Sequence, residues 1–162
     1  MTIHEIKVYL KKHYFIVFRY KSEYYTLRRS PSLFGSKYCL IATDALPHCS
    51  NSIEELCEQV YMSTGTLFKE AINDIEIFED DDVSWGTYEA IRHIALVHGN
   101  EIHFLYNQRS YWITQPRKDL SELCDDLGNI QAFNSYRDLF KDARIDGYTL
   151  EDIWKYVIVD SY

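Results

Sequence analysis

The chain has 162 residues, enough for one ordinary domain or two very small ones. Its net charge of −8 argues against general nucleic-acid binding, which needs Lys and Arg to neutralise phosphates, but is compatible with a basic protein partner. A hydrophobic fraction of 46% with only 3 prolines and 6 glycines excludes a linker or disordered chain, and no apolar run approaches the ~18 residues of a membrane span.

The first fifteen residues, MTIHEIKVYLKKHYF, place lysines inside an apolar pattern and carry no small-residue cleavage site. They read as a helix, not a signal peptide, so a cytoplasmic location is expected. Ile3, Ile6 and Leu10 fall on one helical face. "YFIVFRY" and "EYYTLRR" flank Lys21-Ser22 and predict a hairpin rich in aromatic and β-branched residues. "SKYCLIAT" (36–43) predicts a third strand. Ser52 with Glu55 three residues on is close to a capping box and starts a short helix. The acidic run "FEDDDVSWG" (78–86) marks a linker between residues 1–80 and 84–162.

The second half repeats this order. Ala90, Ile91, Ile94 and Val97 share a helical face. "NEIHFLY" and "SYWITQ" surround Asn107-Gln108-Arg109, and Ile102, Phe104 and Tyr106 alternate with His103 and Leu105, so one face is the core face. "LSELCDDL" (120–127) is a poorer third strand, with a turn at Gly128-Asn129. Ser135 and Asp138 repeat the cap. In "ARIDGYTLEDIW" (143–154), Ile145 closes the packed face of the preceding helix and Gly147 supplies the positive φ that stops it. Thr149 then caps a short helix with Asp152 three residues on, and "YVIV" (156–159) ends as a strand. This accounts for every residue type there, so Asp146 and Asp152 need no catalytic role.

The echo is residue by residue. Phe18, Tyr20, Tyr25 and Leu27 match Phe104, Tyr106, Tyr111 and Ile113. Asn51-Ser52 and Leu56 match Asn134-Ser135 and Leu139; Gly65, Phe68 and Ile72 match Gly147, Leu150 and Trp154, with one gap near residues 61–64. The expected fold is α+β: a tandem duplication of a helix–β-meander–helix–helix–strand unit. Halves of this size are marginal alone, so the two are expected to pack together with pseudo-twofold symmetry.

No nucleotide, nucleophile-elbow or HExxH motif is present. His48, Cys49 and Cys57 lack the paired spacing of a zinc site, so neither metal nor cofactor is expected. Cys39, Cys49, Cys57 and Cys124 form no CxxC and are expected as reduced thiols. Phe18, Tyr20, Tyr24, Tyr25, Tyr106, Tyr111 and Trp112 could stack bases, but the acidic chain favours alternate rings in the core and the others half covered.

Charge is uneven. Lys7, Lys11, Lys12, Arg19, Lys21, Arg28 and Arg29 crowd the first thirty residues, whereas Asp44 to Asp82 holds Lys69 as its only base. Either these faces attract one another within the fold, or the acids form a surface for a basic partner. On the second reading the contact residues are Glu54, Glu55, Glu58, Asp74, Glu76, Glu79, Asp80, Asp81 and Asp82, with Asp125 and Asp126 secondary.

The pattern F-x-Y-[N/K]-x-x-x-Y, then F-N-S-Y-x-x-L-F, then I-D-G-x-T-L-x-D-I-W-x-x-V-x-V resembles small acidic α+β proteins of low-GC Gram-positive bacteria and their phages and mobile elements. The match is best over 100–159 and weaker over 14–77, where the first half lacks the tryptophan. That group has no established catalytic residues to carry over. The resemblance implies an inhibitor, in the manner of anti-CRISPR or toxin-immunity proteins. The expected function is therefore a non-enzymatic binding protein, monomeric or homodimeric, that neutralises a basic partner such as a nuclease. The alternatives are a ligand sensor or enzyme with a cleft between the halves, near Tyr25, Tyr111, His103 and Arg109, and a self-assembling protein that pairs an open edge strand.

Overall fold

The computed structural model describes residues 1–32, 35–78 and 86–162, and the chain divides into two compact units, Met1–Asp82 and Val83–Tyr162. The fold is α+β, with each unit built on one antiparallel five-stranded sheet. Among the described residues no helix is long and apolar enough to cross a membrane.

In the first unit α1 (Ile3–His13) begins at Thr2, whose hydroxyl accepts from the Glu5 amide while the Glu5 carboxylate accepts from the Thr2 amide. Strands β1 (Phe15–Tyr20), β2 (Glu23–Ser32), β3 (Gly35–Ala42) and β4 (His48–Ser50) form a meander. Helices α2 (Ile53–Gln59) and α3 (Phe68–Ala71) follow, and β5 (Glu76–Ile77) returns beside β1, giving the order β4-β3-β2-β1-β5.

The second unit opens with α4 (Tyr88–His98), capped by the Thr87 hydroxyl. Its meander is β6 (Ile102–Tyr106), β7 (Arg109–Arg117), β8 (Leu120–Asp125) and β9 (Ile130–Phe133). After α5 (Tyr136–Asp142) come the short ladder β10 (Arg144–Ile145) and β11 (Tyr148–Thr149), α6 (Leu150–Ile153), a 3-10 turn at Trp154–Tyr156, and β12 (Ile158–Ser161), which returns beside β6. The order β12-β6-β7-β8-β9 is that of the first sheet read from its other edge.

The matched residues stand in like environments. Phe18 and Phe104 are 0% and 1% exposed, and each stacks on the tyrosine opposite it, Phe18 on Tyr25 at 5.4 Å and Phe104 on Tyr111 at 5.3 Å. Tyr20, Leu27, Tyr106 and Ile113 are likewise buried, and each unit has a core of its own. Both helices after the meanders start at the expected serine: Ser52 accepts from the Glu55 amide and Ser135 from the Asp138 amide.

Some local readings change. Residues 120–127 were expected to make a poor strand, yet β8 pairs on both sides, and β4 and β9 extend each meander by a strand the sequence pattern does not reveal. Gly147 does have positive φ, but it does not stop a helix. α5 already ends at Ala143, which is extended, and Asp146-Gly147 form the two-residue turn between β10 and β11, with φ of 53° and 86°. In the first unit a bridge between Tyr61 and Leu67 spans a longer turn, which is where the sequence match needs its gap. The third ring of each core also differs in origin: Phe68 of α3 stacks on Phe18, whereas Trp154 of the 3-10 turn packs on Phe104 at 5.3 Å.

The expectation of four thiols is corrected. Cys39 and Cys49 are directly opposite on β3 and β4 with Cα atoms 4.1 Å apart, and they are joined in a disulfide. The pairing could not be foreseen without β4. Cys57 is a buried thiol, pushed up to about 11 by burial first and then by Glu54 and Glu58; Cys124 is half-buried and free. Because the bridge spans only 10 residues, its reduction, or Cys39→Ser with Cys49→Ser, is expected to lower the unfolding free energy by roughly 2–3 kcal/mol. Urea melts with and without dithiothreitol measure this, and an unchanged midpoint would show that β4 holds without the link.

Candidate partner-binding surface

The acids nominated for a partner are largely engaged within their own units. Glu54 and Glu58 lie one turn apart on α2. Glu54 takes an ion pair from Lys7 of α1, and Glu58 one from Lys69 at 3.3 Å. Glu76 on β5 pairs with its cross-strand neighbour Arg19, donated by the guanidinium. Glu55 accepts from the Ser50 hydroxyl, and Asp74 is exposed. The Lys7 ammonium holds the Glu54 carboxyl below the usual range, and the Glu76 hydrogen bond raises the Arg19 guanidinium. Exposed pairs add little to stability. They do offset the charge that would have faced a partner, so bases and acids from distant parts of the first unit meet within it. Glu79, Asp80, Asp81 and Asp82 lie outside the described residues.

Asp125 and Asp126 serve the β7–β8 end of the second sheet. Asp125 accepts from the Leu127 and Asn129 amides, from the Asn129 side chain, and from Arg109 at 2.5 Å. Those hydrogen bonds, the Asn129 side chain foremost, hold its carboxyl low. Asp126 accepts from the Ser110 amide at 3.2 Å and lies 3.6 Å from Arg109. Both shape a turn.

The aromatic residues separate cleanly. Phe18, Tyr20, Tyr24, Tyr25, Tyr106 and Tyr111 are all buried. Trp112 is not. It lies on the opposite face of the second sheet from Tyr111, because successive strand residues point to opposite sides. Register builds a row on that face: His103 of β6, Trp112 of β7, Cys124 of β8 and Ile130 of β9 are successive cross-strand partners. The His103 and Trp112 rings meet edge to face at 6.0 Å. Beside the row Leu105 pairs with Ile158, and Glu122 stands between Thr114 and Ala132. None of these residues is buried; Ile130 is 60% and Ile158 65% exposed. On the first sheet the corresponding face is buried at Val17, Tyr24 and Thr26.

Trp112 is half-buried in this patch, beside exposed Leu105, Ile130 and Ile158 and with the Glu122 carboxylate on the same face. The patch was partly legible. The alternation over residues 102–106 already sets His103 and Leu105 off the core face. Ile130 was hidden because β9 was not recognised; 156–159 reads as a strand, but the sequence does not say which of its side chains face outward.

Of the remaining candidates, Arg109 lies over the Tyr111 ring at 5.5 Å. Tyr111 and His103 occupy opposite faces of one sheet, and Arg109 is tied to Asp125. Tyr25 belongs to the other unit, where its hydroxyl donates to Glu23 at 2.9 Å and also bonds the Ser63 hydroxyl beside a cavity of about 110 Å³. Cys49 is consumed by the disulfide and Cys57 by the core, and among the described residues no group of three His, Cys, Asp or Glu is placed to hold a metal. No protein-family model, no curated protein and no solved structure matches this chain.

Proposed function

We propose that this chain is a non-enzymatic binding protein, descended from duplication of one α+β unit, that neutralises a basic partner protein docked on the outer face of its second sheet. The observation that carries the reading is the row His103–Trp112–Cys124–Ile130 with Leu105 and Ile158 beside it, apolar and unburied. A ring such as Trp112 on a rigid strand loses little freedom on binding and serves as an anchor. The net charge of −8 and the carboxylate of Glu122 within the patch favour a basic partner and speed its arrival. The shared strand order, paired serine caps and matched Phe–Tyr stacks support duplication. With one copy of the face buried and the other not, the second unit is the one free to specialise. The resemblance to small acidic proteins of mobile elements makes an anti-defence inhibitor or immunity protein the natural role, acting in the cytoplasm.

Capture from a Gram-positive host lysate with the wild-type chain, Trp112→Ala and Glu122→Lys tests this. A basic protein retained by the wild type, lost with Trp112→Ala and weakened by Glu122→Lys or by salt is the expected result, with thermal unfolding of the variants unchanged. Retention of the same protein by all three chains would refute it.

A further inference from the structure

The disulfide of the first unit stands where the second unit has none. Cys39 of β3 lies between Arg28 of β2 and Cys49 of β4 in one cross-strand row. The matching row of the second sheet, one step along from Ile113 as Arg28 is from Leu27, is Thr114, Glu122 and Ala132. There β9 is held by its ladder to β8 and by the Gln131 side chain, which bonds the Arg144 backbone. β4 has a comparable tie besides its ladder, since the Ser50 hydroxyl donates to Glu55. A fourth meander strand thus pairs without a covalent link, and the bridge on β4 is open to another task.

The surroundings of the bridge suit thiol–disulfide exchange. β4 is an edge strand, Cys49 is exposed and Cys39 is half-buried, so a reductant reaches the sulfurs of the folded chain. Arg28 is the direct cross-strand neighbour of Cys39, and Lys37 lies two residues along β3 on the same face. Both are exposed, and among the described residues neither side chain has an ion-pair or hydrogen-bond partner. Their positive charge favours a Cys39 thiolate over the thiol, and a thiolate stabilised in this way is the better leaving group. The second sheet, with Thr114 in place of Arg28, has neither the bridge nor the base.

We propose that Cys39–Cys49 is a reversible redox site, opened by a dithiol reductant that attacks Cys49 Sγ and expels Cys39 as a thiolate beside Arg28 and Lys37. One reductant sulfur bonds to Cys49 as the Sγ–Sγ bond breaks. The second reductant thiolate then displaces the Cys49 thiolate, and the reductant leaves as its own disulfide. Two electrons pass to the bridge, and its two thiolates take up the two protons that the dithiol gave up. Oxidised glutathione reverses the exchange and leaves as two thiols. Opening removes the covalent tie on β4, and Ser50 carries the change to the start of α2 through Ser52 and Glu55. The site belongs to the first unit and stands whether or not the Trp112 row takes a protein.

Reduction of the folded full-length chain by dithiothreitol at neutral pH, quenched by thiol alkylation and read by peptide mass, tests it. The rate is expected to rise in proportion to dithiothreitol, with amide shifts confined to β3, β4 and the start of α2. At low salt Arg28→Gln with Lys37→Gln is expected to react at least about threefold more slowly, and Arg28→Lys within about twofold of the wild type. With reduced glutathione as the attacking thiol, the mixed disulfide is expected on Cys49. A rate that levels off at the rate of unfolding, equal rates for the wild type and the double variant, a mixed disulfide on Cys39 instead, or failure of oxidised glutathione to restore the bridge would each overturn the proposal.

Discussion

Phe18→Ala and Phe104→Ala are each expected to cost about 3–5 kcal/mol of unfolding free energy, and to cost it about equally. Both rings are almost wholly buried on the first strand of their meander, and both stack on the tyrosine across the hairpin. Truncation removes that contact and leaves a cavity between the sheet and the helical segment packed on it, which close-packed walls fill only in part. The loss is a large share of the 5–15 kcal/mol that holds a typical domain. Urea melts followed by circular dichroism give the value. The third ring differs in origin, Phe68 in one unit and Trp154 in the other. A gap of more than about 2 kcal/mol between the variants would mean that this difference outweighs the shared stack. A cost below about 1 kcal/mol in either would show that the position is not core.

Acid is expected to weaken the fold well before the carboxylates titrate. His93 on α4 is 0% exposed, and burial, with a smaller contribution from the neighbouring His98, pushes its imidazole down to about 3. The unfolded chain takes up a proton near 6.5, while the folded chain keeps the ring neutral to about 3. The stability that this neutral ring permits is therefore complete above pH 6.5 and drains away as pH falls toward 3. At 1.36 kcal/mol per pH unit the loss by pH 4 is on the order of 3 kcal/mol. Asp125 and Asp152, whose carboxyls are held low by hydrogen bonds, lose their share in the same direction but only below the ordinary carboxylate range. The interval between pH 6.5 and 4.5 thus isolates the histidine. His93→Gln should flatten the stability profile there, and the His93 ring protons should not move in a native-state titration down to pH 4. A ring that titrates near 6.5 would refute the assignment.

The candidate surface was less legible than the fold, for a definite reason. Charge is read from sequence as a run, but its effect depends on what sits across from it. Glu54, Glu58 and Glu76 looked like a free acidic face, yet each meets a base 11 to 57 residues away. A surface patch is an assembly of residues from several strands: Ile130 sits on β9, which the pattern does not reveal, and Ile158 on β12, whose outward side depends on its pairing with β6.

By itself the sequence determined the repeating order of elements, the serine and threonine caps, the hairpin turns and the inward rings at positions 18, 25, 104 and 111. All of these are local: they follow from side-chain period and from hydrogen bonds three residues apart. Only the tertiary structure decided the Cys39–Cys49 bridge, the Asp146-Gly147 turn, the pairing of acids with bases and the row that Trp112 shares with His103, Cys124 and Ile130. Each depends on register between strands or on the packing of one helix against another, and the free energy of such contacts is set by residues that no local window contains.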